Sequence, residues 1–184
     1  MSDTAERLLD LAEKRFRMEG YNAVSFRQLA DEVGVKSASV HYHFPTKEAL
    51  GVAVVDRYRK RIGDSMGDPL ALETRVERIT RLVEVFRTAR LREGMICLCG
   101  MLGAEAVGLP PTVRESVNGF FRMCLDWLDA ALAEPGVPGG TVRARSLAVL
   151  SMLEGAMVVS GSMDDTDGFE EVCRQATALA SSPY

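Results

Sequence analysis

Residues 37–43 concentrate side chains that can donate and accept hydrogen bonds within one short stretch. The sequence there reads Ser-Ala-Ser-Val-His-Tyr-His, which supplies two hydroxyls, a phenol and two imidazoles. Groups of this kind suit hydrogen bonding to base edges and phosphates. The small Ala38 and Ser39 would let a helix approach a DNA major groove, which is about 12 Å wide. The segment is therefore a candidate for reading nucleic acid.

The four cysteines form a second set of candidate residues, and Cys97 and Cys99 lie two positions apart. A nearby positive charge can lower a thiol pKa and make it reactive, and Arg90 and Arg92 are close in sequence. The chain has no Ser-His-Asp set, phosphate-binding glycine loop or metal-ligand cluster that would support catalysis. We therefore predict no catalytic residue, no cofactor and no metal, and we expect reduced thiols in a cytoplasmic protein.

Composition indicates a folded protein and leaves room for a local DNA-binding patch. The 184 residues are 47% apolar and 26% charged, with a net charge of −4. Residues 1–63 hold 11 basic and 9 acidic residues, about +2, which leaves 11 basic and 17 acidic, about −6, for the remainder. No apolar run approaches the roughly 18 residues of a membrane-spanning helix, so we expect no membrane partner.

The elements that must position these residues are helices, because apolar residues recur at spacings of three and four almost throughout. We predict an all-α fold of about nine helices. Thr4, Thr46 and Thr141 are the expected N-caps of the first, fourth and eighth. The expected spans are 5–18, a short helix from Ser25 to Gly34, 37–44, 46–62, 72–91, 96–107, 113–133, 141–160 and 169–180.

The second and third helices have the layout of a helix-turn-helix. Ser25 and Gln28 have capping-box spacing, and Gly34 can supply a left-handed C-cap before the third helix. Val40 and Phe44, four residues apart, should face inward and hold that helix in place. The basic run at 57–61 is interpreted as a solvated face of the fourth helix rather than a DNA contact.

The sequence around this layout resembles the N-terminal signature of the TetR family. The resemblance rests on Gly-Tyr at 20–21, Ser-Phe-Arg-Gln-Leu-Ala at 25–30, and Gly-Val-Lys-Ser-Ala-Ser-Val-His-Tyr-His-Phe-Pro-Thr-Lys-Glu-Ala-Leu at 34–50. It implies a helix-turn-helix domain at 1–50, a connector helix at 47–63, and a helical ligand-binding and dimerisation domain at 64–184. The implied function is a repressor that binds a palindromic operator in double-stranded DNA as a homodimer and is released by a small-molecule inducer of unknown identity.

The resemblance also assigns residues to DNA contact. Base edges and phosphates would be contacted by Arg27, Ser37, Ala38, Ser39, His41 and Tyr42, and the backbone by His43 and Lys47. Two positions depart from the family pattern. Lys36 stands where relatives often have a capping Ser or Thr, so the cap shifts to Ser37 or is lost while Lys36 gains a phosphate contact. His41 replaces a common Tyr.

The remaining candidates lie in the C-terminal helices. An apolar ligand pocket would be lined by Phe86, Met101, Glu105, Phe120, Phe121, Trp127 and Met152, although such side chains are also ordinary core residues. Glu154 is a further possible polar group in that site. The resemblance implies, by helix order, a dimer that forms through the last two helices, where Ala148, Ser151, Gly155 and Ala156 would permit close packing.

Three alternatives stay open at this point. Residues 96–105 resemble a helix in which some TetR-family members sense electrophiles or oxidants, so Cys97 and Cys99 are possible sensors within the same fold. A helical redox enzyme that does not bind DNA is the second alternative. The third is a protein-binding module that has kept the fold without binding DNA.

Overall fold

A computed structural model describes residues 2–184, and within that range the chain forms nine α-helices and no β-strand. The prediction of an all-α fold is confirmed. The helices are α1 (Asp3–Glu19), α2 (Phe26–Val33), α3 (Ser37–His43), α4 (Lys47–Met66), α5 (Arg75–Arg87), α6 (Leu98–Ala104), α7 (Pro111–Leu132), α8 (Gly139–Met163) and α9 (Thr166–Ser181). Two short 3-10 turns, Pro69–Ala71 and Ala106–Gly108, and a π-helical turn, Thr88–Arg92, follow α4, α6 and α5 respectively.

Local capping explains the first two helices. The hydroxyl of Ser2 accepts the Ala5 N–H at 3.3 Å, so α1 begins before Thr4 and the prediction of a Thr4 cap was wrong. The predicted capping box of α2 is confirmed, because Ser25 Oγ accepts the Gln28 N–H at 3.3 Å and Gln28 Oε1 accepts the Ser25 N–H at 3.0 Å. Gly34 ends α2 in the left-handed conformation, with φ 77°.

Several later helices differ in extent from the predicted spans. The α5 helix begins at Arg75 rather than at residue 72, because Thr74 and Glu77 form a capping box that fixes its start. The α8 helix begins at Gly139, after Pro138, so Thr141 lies inside its first turn and is not the cap. The N–H groups in the first turn of a helix have no acceptor within the helix. The two glycines at 139 and 140 therefore do not prevent α8 from beginning there.

Internal packing divides the chain into two units. The first contains the residues up to Arg61 together with Leu98–Phe120, and the second contains Ile62–Cys97 and Phe121–Tyr184. The most deeply buried large side chains of the first unit are Phe16, Phe120, Leu8, Leu9, Leu29, Leu50, Leu98 and Leu102; those of the second are Phe169, Met66, Ile79 and Leu82. The predicted domain boundaries near residues 50 and 64 were drawn from the helix-turn-helix signature and not from packing. The division into a DNA-binding and a ligand-binding domain stays a prediction.

The α8 helix is the one helix among residues 2–184 whose length and composition would allow it to cross a bilayer. The sequence analysis did not single it out, because Arg143, Arg145 and Glu154 interrupt its apolar residues. In the structure α8 packs mainly against α9 and buries one side there. Its opposite side carries exposed apolar residues, whose arrangement is described below.

Candidate nucleic-acid interface

The α3 helix presents its polar side chains to solvent and buries two apolar anchors. Tyr42 is 85% exposed, an unusual value for a tyrosine, whereas Val40 and Phe44 are buried as predicted. The remaining residues predicted to contact DNA are also at the surface: Arg27, Lys36, Ser37, Ala38 and His41 are exposed, and Ser39, His43 and Lys47 are partly exposed. The structure therefore gathers the predicted set on one short helix and its immediate flanks.

A tight turn between α2 and α3 fixes how the polar side is presented. The N–H groups of Gly34 and Val35 both donate to the Ala30 carbonyl at 2.9 Å, which closes the end of α2. Lys36 is the N-cap residue of α3 and makes no side-chain capping bond. The sequence left two alternatives for the cap of α3, a shift to Ser37 or its loss. The structure shows that the side-chain cap is lost.

The two histidines of α3 have different surroundings. The His41 ring packs edge-on against Phe26, with ring centroids 4.8 Å apart, so its outer edge stays exposed. His43 Nε2 lies 3.4 Å from Ser2 Oγ at the start of α1, and its ring contacts Tyr42. His43 thus supports the position of Tyr42 and is a less accessible group than His41.

Lys47, at the first position of α4, is already engaged within the first unit. Its Nζ donates to the Asn22 carbonyl at 3.2 Å and lies 4.6 Å from the centroid of the Tyr21 ring. Burial lowers the pKa of Lys47 below its usual value. An ammonium has three donors, so this carbonyl contact leaves protons for a phosphate.

Glu105, which was predicted as a ligand contact, forms hydrogen bonds to the turn between α1 and α2. Its Oε2 accepts the Tyr21 N–H at 3.0 Å and the Asn22 side-chain amide at 3.4 Å. A Cβ at Gly20, which has φ 84°, would overlap the same carboxylate. Since α6 also packs against α1, Glu105 ties the end of α6 to the DNA-binding helices, a role that sequence reasoning missed because the partners are 83 and 84 residues apart.

The basic run on α4 is at least partly exposed to solvent, as predicted, and it also forms ion pairs with α1. Arg57 pairs with Asp10 at 2.8 Å, and Arg61 pairs with Glu13 at 2.5 Å. Glu13 is itself buried on α1. These pairs fix α1 against α4, a role that the sequence did not predict for Arg57 and Arg61.

Comparison with known proteins agrees with this geometry. The family described as "Bacterial regulatory proteins, tetR family" matches residues 8–54, which include α2, the turn and α3. The crystal structure of a TetR transcriptional regulator from Legionella pneumophila is 29% identical, covers 97% of both chains and has a TM-score of 0.90. The chain is therefore similar to TetR-family regulators, by sequence at residues 8–54 and by fold along nearly its whole length.

Two other relatives extend this TetR-family similarity along the chain. The HTH-type transcriptional regulator LmrA of Bacillus subtilis is 25% identical over 164 residues, 86% of each chain. A TetR-family regulator from Agrobacterium tumefaciens is 24% identical with a TM-score of 0.87, covers 97% of this chain and 98% of its own, and shows the shared fold. Both relatives are named as transcriptional regulators.

The structure distributes the predicted ligand-binding residues over both units. Phe86 and Trp127 are buried in the second unit, where Phe121 and Met152 are partly exposed. Trp127 donates its indole N–H to the Gly67 carbonyl at 2.7 Å. Met101, Glu105 and Phe120 belong to the first unit, where Phe120 packs against Tyr58. The assignment of these seven residues to a ligand pocket stays a prediction.

The predicted dimer residues lie on α8, and three of the four face solvent. Ala148, Ser151 and Gly155 are exposed, and they share one side of α8 with the larger exposed apolar residues Leu147, Val158 and Val159. We call this set, residues 147, 148, 151, 155, 158 and 159, the α8 face. Ala156 is buried within its own chain, so its assignment to a partner contact is corrected: at a helical spacing of 100° per residue it points away from the α8 face.

All four cysteines are buried thiols among residues 2–184. Burial and the nearby Glu154 raise the pKa of Cys124 far above its usual range, and burial raises the pKa of Cys173 to about 11. Cys97 contacts the Glu154 carboxyl, an acceptor rather than a positive charge. A reactive thiolate needs a lowered pKa and access to solvent, so this environment does not favour the sensor alternative for Cys97 and Cys99.

We predict that the native protein resists thiol alkylation. After exposure to iodoacetamide at pH 7.5, mass spectrometry should find less than about a tenth of the labelling seen in denaturant, because thiolate formation requires both deprotonation and exposure. The denatured protein serves as the control for complete reaction. Rapid native labelling of Cys97 or Cys99 would restore the electrophile-sensor alternative.

Proposed function

We propose that this TetR-family protein is a cytoplasmic repressor that binds a palindromic operator as a homodimer and releases it when a small-molecule inducer binds. The observation that carries the proposal is the arrangement of α3, in which Tyr42 and its polar neighbours face solvent while Val40 and Phe44 are buried. A two-turn helix with a slim polar edge matches the shape and hydrogen-bonding pattern of a major groove.

The DNA contacts follow from position on this surface. We assign base-edge contacts to Ser37, Ala38, Ser39, His41 and Tyr42, and phosphate contacts to Arg27, Lys36, His43 and Lys47. The phosphate contacts are supported by the charges of Lys36 and Arg27 and by the position of Lys47 in the first turn of α4, since a helix N-terminus attracts anions. His43 and Lys47 also make contacts within the first unit, so their share of the DNA energy is smaller.

Dimerisation supplies the second copy of α3 that a palindrome requires. We place the interface at the α8 face, because exposed Leu147, Val158 and Val159 surround the small residues Ala148, Ser151 and Gly155. Small residues allow helices to pack closely, and an exposed apolar patch of this kind is typical of a protein interface. The two recognition helices would then read half-sites about 34 Å apart or somewhat more.

Induction requires a ligand that prefers the conformation with low DNA affinity. We assign ligand contact to Phe86, Phe121, Trp127 and Met152 of the second unit. Within the first unit, Glu105 connects the end of α6 to the α1–α2 turn, so a shift of α6 would displace the support of the DNA-binding helices. This connection is the route by which we expect inducer binding to lower operator affinity.

Replacing Tyr42 with alanine tests the proposal directly. We expect the Tyr42→Ala protein to bind DNA from its own promoter region roughly tenfold or more weakly, because a highly exposed base-contacting side chain is lost. Fluorescence anisotropy with labelled promoter DNA measures this, and wild-type affinity should fall steeply with salt.

Met18→Ala is the matched control, since Met18 is a 59% exposed apolar residue on α1, away from the predicted DNA-contact set. It should bind like the wild type. Equal affinity of a folded, dimeric Tyr42→Ala protein, or a flat salt response of the wild type, would refute the assignment of this site.

A further inference from the structure

Glu154 is the single acidic residue of α8, and one of its carboxylate oxygens has no partner. The side chain lies on the flank of the helix, between the buried side and the α8 face. Oε1 is buried from solvent and makes no hydrogen bond. Buried polar atoms are nearly always paired, so an unpaired carboxylate oxygen requires an explanation.

The surroundings of Glu154 supply no cation. The thiol of Cys97, just before α6, donates to the carboxyl, and Cys124 of α7 interacts with it electrostatically. No Lys or Arg within residues 2–184 forms a salt bridge with it; Arg90 hydrogen-bonds to Ser160, and Arg143 pairs with Asp126 and Asp129. The carboxyl is therefore flanked by two neutral thiols.

This arrangement costs stability in the absence of a partner. An ionised carboxylate that is buried without a counter-charge loses its hydration and gains few interactions that compensate for the loss. Burial accordingly raises the pKa of Glu154 to about 7. A glutamine or leucine here would avoid the cost. An unfavourable polar group of this kind is typical of a binding site rather than of a structural core.

We propose that Glu154 is the recognition group for the inducer, and that the inducer is a hydrophobic molecule carrying a protonated amine that donates to Oε1. This inference rests on the proposed function, because it names the chemical class of the ligand that would release the operator. A protonated amine supplies both what Oε1 lacks, a donor, and what the buried carboxylate lacks, a positive charge. The neighbouring thiols and the buried Leu153 and Met157 of α8 suit the apolar remainder of such a ligand.

Binding would then depend on pH in a defined direction. A cation binds the ionised carboxylate, so the free protein must lose a proton from Glu154 before or during binding. The titratable groups that interact with Glu154 among the described residues are Cys97, whose thiol donates to the carboxyl, and Cys124, whose pKa is raised far above its usual range by burial. Amine affinity should consequently rise from pH 6 to pH 8, whereas an uncharged ligand should show no such increase.

Decylamine and decanol form a matched pair of probes, because they share a chain and differ in the charged head group. Alkylammonium groups stay protonated to about pH 10, as lysine does. Binding can be followed by fluorescence of Trp127, the only tryptophan, which lies on α7 three residues from Cys124. The wild type should bind decylamine about tenfold more tightly than decanol at pH 8.

Glu154→Gln should remove that preference, and Glu171→Gln, at an exposed glutamate of α9, is the matched control that should keep it. Equal affinity of wild type for amine and alcohol, or an amine preference that survives in Glu154→Gln, would overturn the proposal. Tighter binding of decanol would assign the site to neutral hydroxyl ligands instead, and would overturn it as well.

A measurement without any ligand gives a second test. Because Oε1 of Glu154 is buried without a partner and the carboxylate has no counter-charge, Glu154→Gln should melt roughly 4 °C higher than wild type at pH 8, with a smaller difference at pH 5, where the carboxyl is protonated. A lower melting temperature at pH 8 would mean that Glu154 is a satisfied structural group, and would overturn the proposal. Operator binding by Glu154→Gln without ligand should be unchanged, so failure of the wild type to bind operator would count against the repressor and not against the amine site.

Discussion

Val158→Glu should convert the protein to a monomer and lower its affinity for operator DNA by roughly two orders of magnitude. Val158 is 52% exposed on the α8 face, and a two-fold interface brings the same surface of both copies together. Two buried glutamates would face one another across such an interface without a counter-charge. Loss of the dimer leaves each α3 helix to bind a half-site alone, which removes the gain from linking two binding events.

Light scattering coupled to gel filtration measures the oligomeric state, and anisotropy measures operator binding. Leu70→Glu is the matched control, because Leu70 is a 66% exposed apolar residue of the same unit that lies outside α8. It should remain dimeric and bind normally. A wild-type monomer, or a Val158→Glu protein that stays dimeric, would contradict the assignment of the interface to the α8 face.

Gly20→Ala should lower the free energy of unfolding by about 3 kcal/mol. Gly20 has φ 84° and ψ 168°, a conformation that is essentially restricted to glycine. A Cβ there would also overlap the Glu105 carboxylate, and moving that carboxylate would leave the Tyr21 N–H without its acceptor. Urea unfolding followed by circular dichroism measures the change.

Two further variants separate the backbone effect from the effect of Glu105. Gly34→Ala should lower the free energy of unfolding by only about 1 kcal/mol, since Gly34 is left-handed but has no atom within 4 Å of an added Cβ. In a Glu105→Ala background, Gly20→Ala should cost about 2 kcal/mol less than it does alone, because the overlap is gone. Equal losses for Gly20→Ala in both backgrounds would show that Glu105 does not hold the turn.

The helix-turn-helix could be predicted closely because its determinants are local. The Ser25 and Gln28 capping box, the glycine at 34 and the spacing of Val40 and Phe44 each act within a few residues. Such signals are fully present in the sequence. The same reasoning gave the correct helix count and the surface location of the DNA-contact set.

The remainder of the site depended on contacts between distant residues. Glu105 lies in a largely apolar stretch, which suggested a ligand contact, and only folding brings it to the Tyr21 N–H. The ion pair between Arg57 and Asp10 joins residues 47 positions apart, on α4 and α1. Neither pairing has a periodic or local signal, so sequence patterns alone could not place these charges.

The hydrogen bond between Glu105 and the α1–α2 turn also limits which DNA-binding helices could be exchanged between this chain and related regulators. Glu105 binds a backbone N–H, so the side chain at position 21 is free to vary without loss of that bond. The glycine before it is not free to vary, because any side chain would meet the carboxylate. If the DNA-binding helices of another regulator were grafted onto this chain, Glu105 could bind their α1–α2 turn only if they carry glycine at the position of Gly20. This requirement holds whatever operator the grafted helices recognise.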